Sequence, residues 1–250
     1  MKFYARYFNT VEINSTFYRP CSAKTAESWA KRTPDDFEFT LKVWQQFTHG
    51  KTEWTTSEVE EFKSGIAPLA EAEKLGCLLF QFPASFKHTT ETMERLTALL
   101  EIFQDYPKAV ELRHRSWTDL LPELQNAGSV PAFIDEPKFK DSIRQEIAAP
   151  GSRLIYVRFH GRKFDKWWRH QHRDERYDYL YTREELQPYV VRLKSILENR
   201  DIQRAYIFFN NHPGAKAVAN AVMMRAQLDI PVKTELPDKL VETYPELISK

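Results

Sequence analysis

A chain of 250 residues, 42% apolar and 14% aromatic, has enough material for one large hydrophobic core. Lys and Arg number 36 against 35 Asp and Glu, a formal net charge of +1, so no global field draws the protein to nucleic acid or to a membrane and any anion binding has to be local. The two cysteines, Cys21 and Cys77, match no metal or redox spacing, and no run is apolar enough for a signal peptide or a bilayer span. The expected location is the cytoplasm.

Met1–Phe8 has a helical pattern. After it, short runs rich in β-branched and aromatic residues recur: Thr10–Ser15, Phe37–Val43, Cys77–Phe82, Ala109–Arg113, Val130–Asp135, Leu154–His160 and Ala205–Asn210. Amphipathic helical patterns lie between most of them. Ser57 with Glu60, and Thr182 with Glu185, have the spacing of capping boxes. Val59, Phe62, Ile66 and Leu69 share one helical face after the first, and Leu186, Val190, Leu193 and Leu197 share one after the second. Gly76 and Gly128 stand where a helix ends before the next strand.

Strand alternating with helix predicts a parallel sheet. With only seven glycines and no GxGxxG or GxxxxGK[ST], a nucleotide-binding doubly wound sheet is disfavoured. Polar residues near the end of almost every strand favour a TIM-type (β/α) barrel, in which the loops after all strands converge on one mouth. The expectation is an α/β chain forming a single barrel domain over residues 1–250. Its seven recognisable strands leave the first of the usual eight missing, through truncation or a start assigned too late. Thr10–Ser15 and Ala205–Asn210 would then flank a gap, each with an unpaired edge.

Residues two apart on a strand share a face. If Val11 and Ile13 face the helices, Glu12 and Asn14 face the barrel interior. The same alternation groups Thr40 with Lys42, Leu79 with Gln81, Glu111 with Arg113, Phe133 with Asp135, Tyr156 with Arg158 and His160, and Phe208 with Asn210. Such groups are costly to bury unless paired or hydrogen-bonded. The bland alternatives are interior Glu–Arg pairs that only pack, a satisfied core histidine at His160, and an Asp135 that caps its loop. The segment Arg162–Tyr181 should hang over the mouth. Its interleaved basic and aromatic residues, among them Trp167, Trp168, Arg169, Arg173 and Arg176, could meet a nucleic acid or simply form a solvated lid. Asn210-Asn211-His212-Pro213-Gly214 could hold an anion or merely make a turn.

TVEINSTFYR, TPDDFEFTLKV, LGCLLFQFPASFK, AVELRHRSW, YVRFHGR and YIFFNNHPG, in this order and spacing, resemble the YecE-like family (domain of unknown function 72) over nearly the whole chain. The resemblance implies a TIM-type barrel and supplies no activity. The family's motif positions correspond to Glu12, Asn14, Ser15, Lys42, Gln81, Glu111, Arg113, His114, Trp117, Arg158, His160, Asn210 and Asn211, with Asp135 at the usual acidic strand end. Family members usually begin with a strand and a Gly-Trp loop upstream of the block with which this chain starts.

The leading expectation is an enzyme of hydrolase or isomerase type, acting on a small polar, anionic, sugar- or phosphosugar-like substrate without metal or cofactor. Glu12, Glu111, Asp135 and His160 are the candidate catalytic groups. Lys42, Arg113 and Arg158 would clamp the anion, with Asn14, Gln81, Trp117, Asn210 and Asn211 binding the rest. Two alternatives are a metal-dependent phosphodiesterase or nuclease, with His49 and His212 as further ligands, and a non-catalytic domain binding a metabolite or nucleic acid. Three cations beside the acids weigh against the metal site.

Overall fold

The computed structural model describes residues 1–247 except 51, 127, 148–152, 168, 170, 200 and 233, and the side chains of the rest except 126 and 173. Trp168 and the Arg173 side chain therefore lie outside the described residues. The chain divides into two compact units, one of Met1–Ala132 with Asp141–Arg144 and one of Phe133–Lys140 with Gln145–Lys250.

In the first unit, β1 (Thr10–Ile13), α1 (Ala23–Lys31), β2 (Glu38–Lys42), α2 (Gln45–His49), α3 (Thr56–Glu71), β3 (Leu75–Gln81), α4 (Thr90–Ile102), β4 (Lys108–Glu111), α5 (Leu121–Asn126) and β5 (Val130–Pro131) follow in order. The five strands form one sheet in sequence order, and every pairing is parallel. In the second unit β6 (Phe133–Asp135), β7 (Leu154–Phe159) and β8 (Arg204–Phe209) form a three-stranded parallel sheet, with α6 (Arg183–Leu197), α7 (Lys216–Gln227) and α8 (Asp238–Thr243). All seven expected strands are present, but Val130–Asp135 is divided. Pro131 pairs with Val110, the Ala132 N–H bonds the Val110 carbonyl, and the ladder to β7 begins at Phe133. β1 pairs only with β2 and β8 only with β7, so each is an edge strand among the described residues.

Several local expectations need correction. Met1–Phe8 forms only a 3-10 turn at Tyr4–Arg6. α3 starts two residues before the expected box: Thr55 caps the Glu58 N–H, and Glu58 Oε2 accepts from the Thr55 N–H at 2.7 Å. Gly76 lies inside β3, and the left-handed residue that ends the preceding turn is Glu73, at φ 56°. Gly128, at φ 70°, does the expected work before β5. Thr182 and Glu185 form the box that starts α6, but Ile196 rather than Leu197 takes the last buried place on that helix.

The first core is aromatic: Phe47 meets Phe62 at 5.7 Å, and Phe103 meets Phe62 at 5.9 Å and Phe80 at 5.5 Å. The second packs Phe133, Val157 and Phe159 of the sheet against Leu186, Val190, Leu193, Met223 and Met224 of α6 and α7. These faces fix which strand residues are left for the opposite side.

Candidate functional site

Partners in a parallel register project to the same side of a sheet. In the first sheet Glu12 is opposite Thr40, Thr40 opposite Cys77, Lys42 opposite Leu79, and Gln81 opposite Glu111. The other side faces the helices, with Phe39 stacked on Trp29 of α1 and Phe80 against Phe103. Glu12, Lys42, Gln81 and Glu111 thus share the face turned from the helices, near the C-terminal ends of β1–β4. Glu111 is fully buried, and its Oε1 accepts from Arg113 Nε at 2.9 Å and Nη2 at 2.6 Å. Gln81 Nε2 donates to the Phe82 carbonyl at 2.8 Å. Lys42 Nζ stands 3.7 Å from the centre of the Phe17 ring.

His49 ends α2 rather than standing in a loop. Its ring meets Phe17 edge-on at 5.0 Å, and its Nδ1 lies 2.9 Å from Thr48 Oγ1. Partial burial, then the charges of Lys42 and Arg113, depress its basicity to about 4 against the opposing pull of Glu111. Between pH 6.5 and about 4 the unfolded chain binds this proton and the folded chain does not, so stability falls as pH drops through that window. His49 is exposed to solvent, which makes the loss much smaller than the shift alone implies. His49→Asn is expected to flatten the urea midpoint between pH 6.5 and 4. An unaltered pH slope would refute this assignment.

Two further candidates of this unit lie beyond the strands themselves. Asn14 is exposed just after β1, its carbonyl accepting the Phe17 N–H at 3.2 Å. Trp117 is fully buried, stacked 5.4 Å from Phe86 with its Nε1 donating to the Phe86 carbonyl at 2.8 Å. It braces the loop after β3 and presents no ring face to a ligand here.

In the second unit, Tyr156, Arg158 and His160 share the side of β7 away from α6 and α7; Tyr156 meets Tyr206 at 6.0 Å and Phe208 at 5.4 Å. Arg158 and His160 are both buried, and His160 Nδ1 lies 3.3 Å from Asn210 Nδ2. Asn211 is fully buried; its Nδ2 donates to the Tyr179 carbonyl at 2.6 Å and to Asn220 Oδ1 at 2.7 Å. Asn220 in turn bonds both backbone groups of Tyr181. Asn211 therefore ties the turn after β8 to the 179–181 segment.

Asp135 departs from expectation. Its register partner is Phe159, which packs on Tyr181 and Tyr189, so Asp135 faces the helices rather than the opposite side. Arg162 grips it with Nε to Oδ1 at 2.9 Å and Nη2 to Oδ2 at 2.8 Å. Tyr181 Oη donates to Oδ1 at 2.6 Å, and Tyr189 donates to Oδ2. Burial alone would raise this carboxyl; the bonds from Arg162, Tyr181 and Tyr189 outweigh it and hold the group below the usual carboxylate range. Tyr181 Oη also accepts the Gly161 N–H at 2.9 Å. At φ 87° Gly161 brings the backbone close to Tyr179, whose Cβ would lie 2.8 Å from any added side chain. An anion with four donors is a fastener, and it makes a poor proton carrier.

The Arg162–Tyr181 segment pairs its charges both internally and with the rest of its unit, Arg162 with Asp135, Asp174 with His212 and Asp178 with Lys216. Lys166 pairs with Glu175 at 3.1 Å, and Arg176 lies over Trp167 and Tyr177. Trp167 is buried. Among the described residues no three His, Cys, Asp or Glu side chains gather as a metal-ligand set, and no helix is long and apolar enough to cross a membrane.

Parallel sheets linked by helices, with polar side chains at several strand ends, define a mixed α/β protein. The family model described as "Protein of unknown function DUF72" matches residues 1–243, and the chain belongs to that family. It is 30% identical to the UPF0759 protein YunF of Bacillus subtilis, over 95% of this chain and 89% of that protein. It is 32% identical to the UPF0759 protein YecE of Escherichia coli, over 44% of this chain and 40% of that one. Among solved structures, a DUF72 family protein from Enterococcus faecalis superposes with a TM-score of 0.84 at 25% identity, covering 95% of this chain and 92% of that one. One from Thermotoga maritima gives a TM-score of 0.79 at 33% identity, covering 89% and 85%.

Proposed function

We propose that this protein is an enzyme of the TIM-type barrel class that binds a small anionic, sugar- or phosphosugar-like substrate at the C-terminal ends of β1–β4 and transforms it by acid/base chemistry. The observation that carries the reading is geometric: Glu12, Lys42, Gln81 and Glu111 share one face near the C-terminal ends of β1–β4, with Arg113 bonded to Glu111. An anion entering there meets the charges of Lys42 and Arg113. Parallel pairing throughout both sheets, with helices between most successive strands, supports the barrel class.

Lys42 and Arg113 orient the anionic group, and Gln81 adds an amide beside Glu111. Glu111, accepting two guanidinium bonds, holds Arg113 in place. Glu12, on the same face and half-buried, is the acid/base group. Arg158 and His160 form the corresponding polar strand end of the second unit.

Thermal shift with phosphorylated and neutral sugars tests the reading, since a ligand that binds only the native state raises its melting temperature. Lys42→Gln is expected to weaken anionic ligands about 10-fold or more, the loss of one charge-assisted bond, and to leave neutral sugars unaffected. Glu12→Gln should keep binding and abolish turnover. Equal affinity of parent and Lys42→Gln for every anion would overturn the proposal, as would a panel that shifts nothing.

A further inference from the structure

The second unit holds a cavity of about 740 Å³, lined by residues of β6, α6 and the loops after β6 and β7. Its size is in the range of sites for small organic ligands, which combine apolar walls with a few placed polar groups. Phe133, Phe164, Pro188 and Tyr189 supply flat apolar walls. Phe164 stacks on Phe139 at 4.7 Å yet leaves 61% of its surface exposed, so one partner holds the ring while its outer part remains open.

The charges in the lining are not equivalent. Asp135 and Arg162 cancel each other by direct pairing. Glu136 is buried and has polar contacts of its own within the protein, and Glu146 is exposed. Arg192, one turn beyond Pro188 on α6, is set differently. Its Nε donates to the Ile147 carbonyl at 2.6 Å, which fixes the guanidinium plane, and among the described residues its terminal nitrogens have no recorded acceptor. A planar pair of N–H donors held at one end of an aromatic-walled cavity matches a carboxylate or phosphate bidentately.

We infer that this cavity is a second binding site, distinct from the strand-end site, for a small aromatic anion whose ring lies along Phe164 and Tyr189 and whose anionic group meets Arg192. The class is recognised by both halves together: the wall without the charge would take any apolar solute, and the charge without the wall would take any phosphate.

Ligand-observed NMR titration of the full chain with phenyl phosphate tests this, with inorganic phosphate and benzylammonium as comparison probes. Phenyl phosphate is expected to bind at least 10-fold more tightly than either. Arg192→Gln and Phe164→Ala should each weaken it about 10-fold, while both variants keep the parent's melting temperature. Lys42→Gln should leave phenyl phosphate binding unchanged, which separates this site from the proposed substrate site. No detectable binding of phenyl phosphate would overturn the inference. So would equal binding of inorganic phosphate or benzylammonium, loss through Lys42→Gln, or retention of full affinity in both cavity variants.

Discussion

Replacing Asp135 by alanine is expected to lower the unfolding free energy by about 3–5 kcal/mol, the cost of removing one member of a buried ion pair and orphaning its partners. Four bonds are lost at once. Arg162 gives up two, and the hydroxyls of Tyr181 and Tyr189 each lose their acceptor. Arg162 keeps Glu185 at 3.6 Å and about a third of its side chain in solvent, which favours the lower end of that range. Tyr181→Phe should cost less, about 1–3 kcal/mol, because it removes one donor to Asp135 and the acceptor of the Gly161 N–H. The pH dependence follows from the depressed carboxyl. Its contribution is present above the ordinary carboxylate range and disappears as pH falls through the lower folded value. Asp135→Ala should therefore be less sensitive to acid than the parent. Urea unfolding at neutral and acid pH reads both effects. A neutral-pH loss below about 1 kcal/mol would place Asp135 outside the structural network drawn here.

Alternation along strands was enough to place Glu12, Lys42, Gln81 and Glu111 on one face of the first sheet and Arg158 with His160 on one face of β7, because a strand with apolar residues on one side has a single admissible register. The same rule failed at Asp135 for a local reason. Val130 to Ile134 is apolar throughout, so polarity sets no register there, and the strand divides at Ala132. The tyrosines that claim Asp135 lie 46 and 54 residues further along, beyond any local pattern. Trp117 and Asn211 stand at family motif positions, yet here they are fully buried and hydrogen-bonded within the fold. A motif records that a residue type matters without separating a ligand contact from a brace. His49 was visible as a histidine in a loop, but its nearness to Lys42 and Arg113 arises from the fold.

Lys74→Met is expected to destabilise the protein by about 2–4 kcal/mol, more than most single substitutions. Lys74 is buried immediately before β3, and its Nζ donates to the carbonyls of Ala30 at 2.9 Å, Thr33 at 2.8 Å and Pro34 at 2.8 Å. An ammonium has three N–H donors, and here three carbonyls receive them. Two of these belong to the turn that follows α1, and Ala30 lies in its last turn, where helical carbonyls lack partners and the dipole favours a cation. Methionine keeps the length of the stem and removes the charge, so the packing survives while three carbonyls lose the ammonium. Ala30 still accepts from Thr33 Oγ1 at 3.2 Å and Pro34 from the Phe37 N–H at 3.1 Å, which favours the lower end of that range. Lys108 repeats the device at the start of β4, donating to Phe103 at 3.2 Å, Gln104 at 3.4 Å and Tyr106 at 3.2 Å. Its bonds are longer, so Lys108→Met should cost less, about 1–2 kcal/mol. The two lysines share no partner, and the double variant should lose the sum to within about 0.5 kcal/mol. Denaturant midpoints with unchanged m-values are the measurement. If Lys74→Met is as stable as the parent, or less damaging than Lys108→Met, the three-carbonyl cap is not what holds the end of α1 against β3.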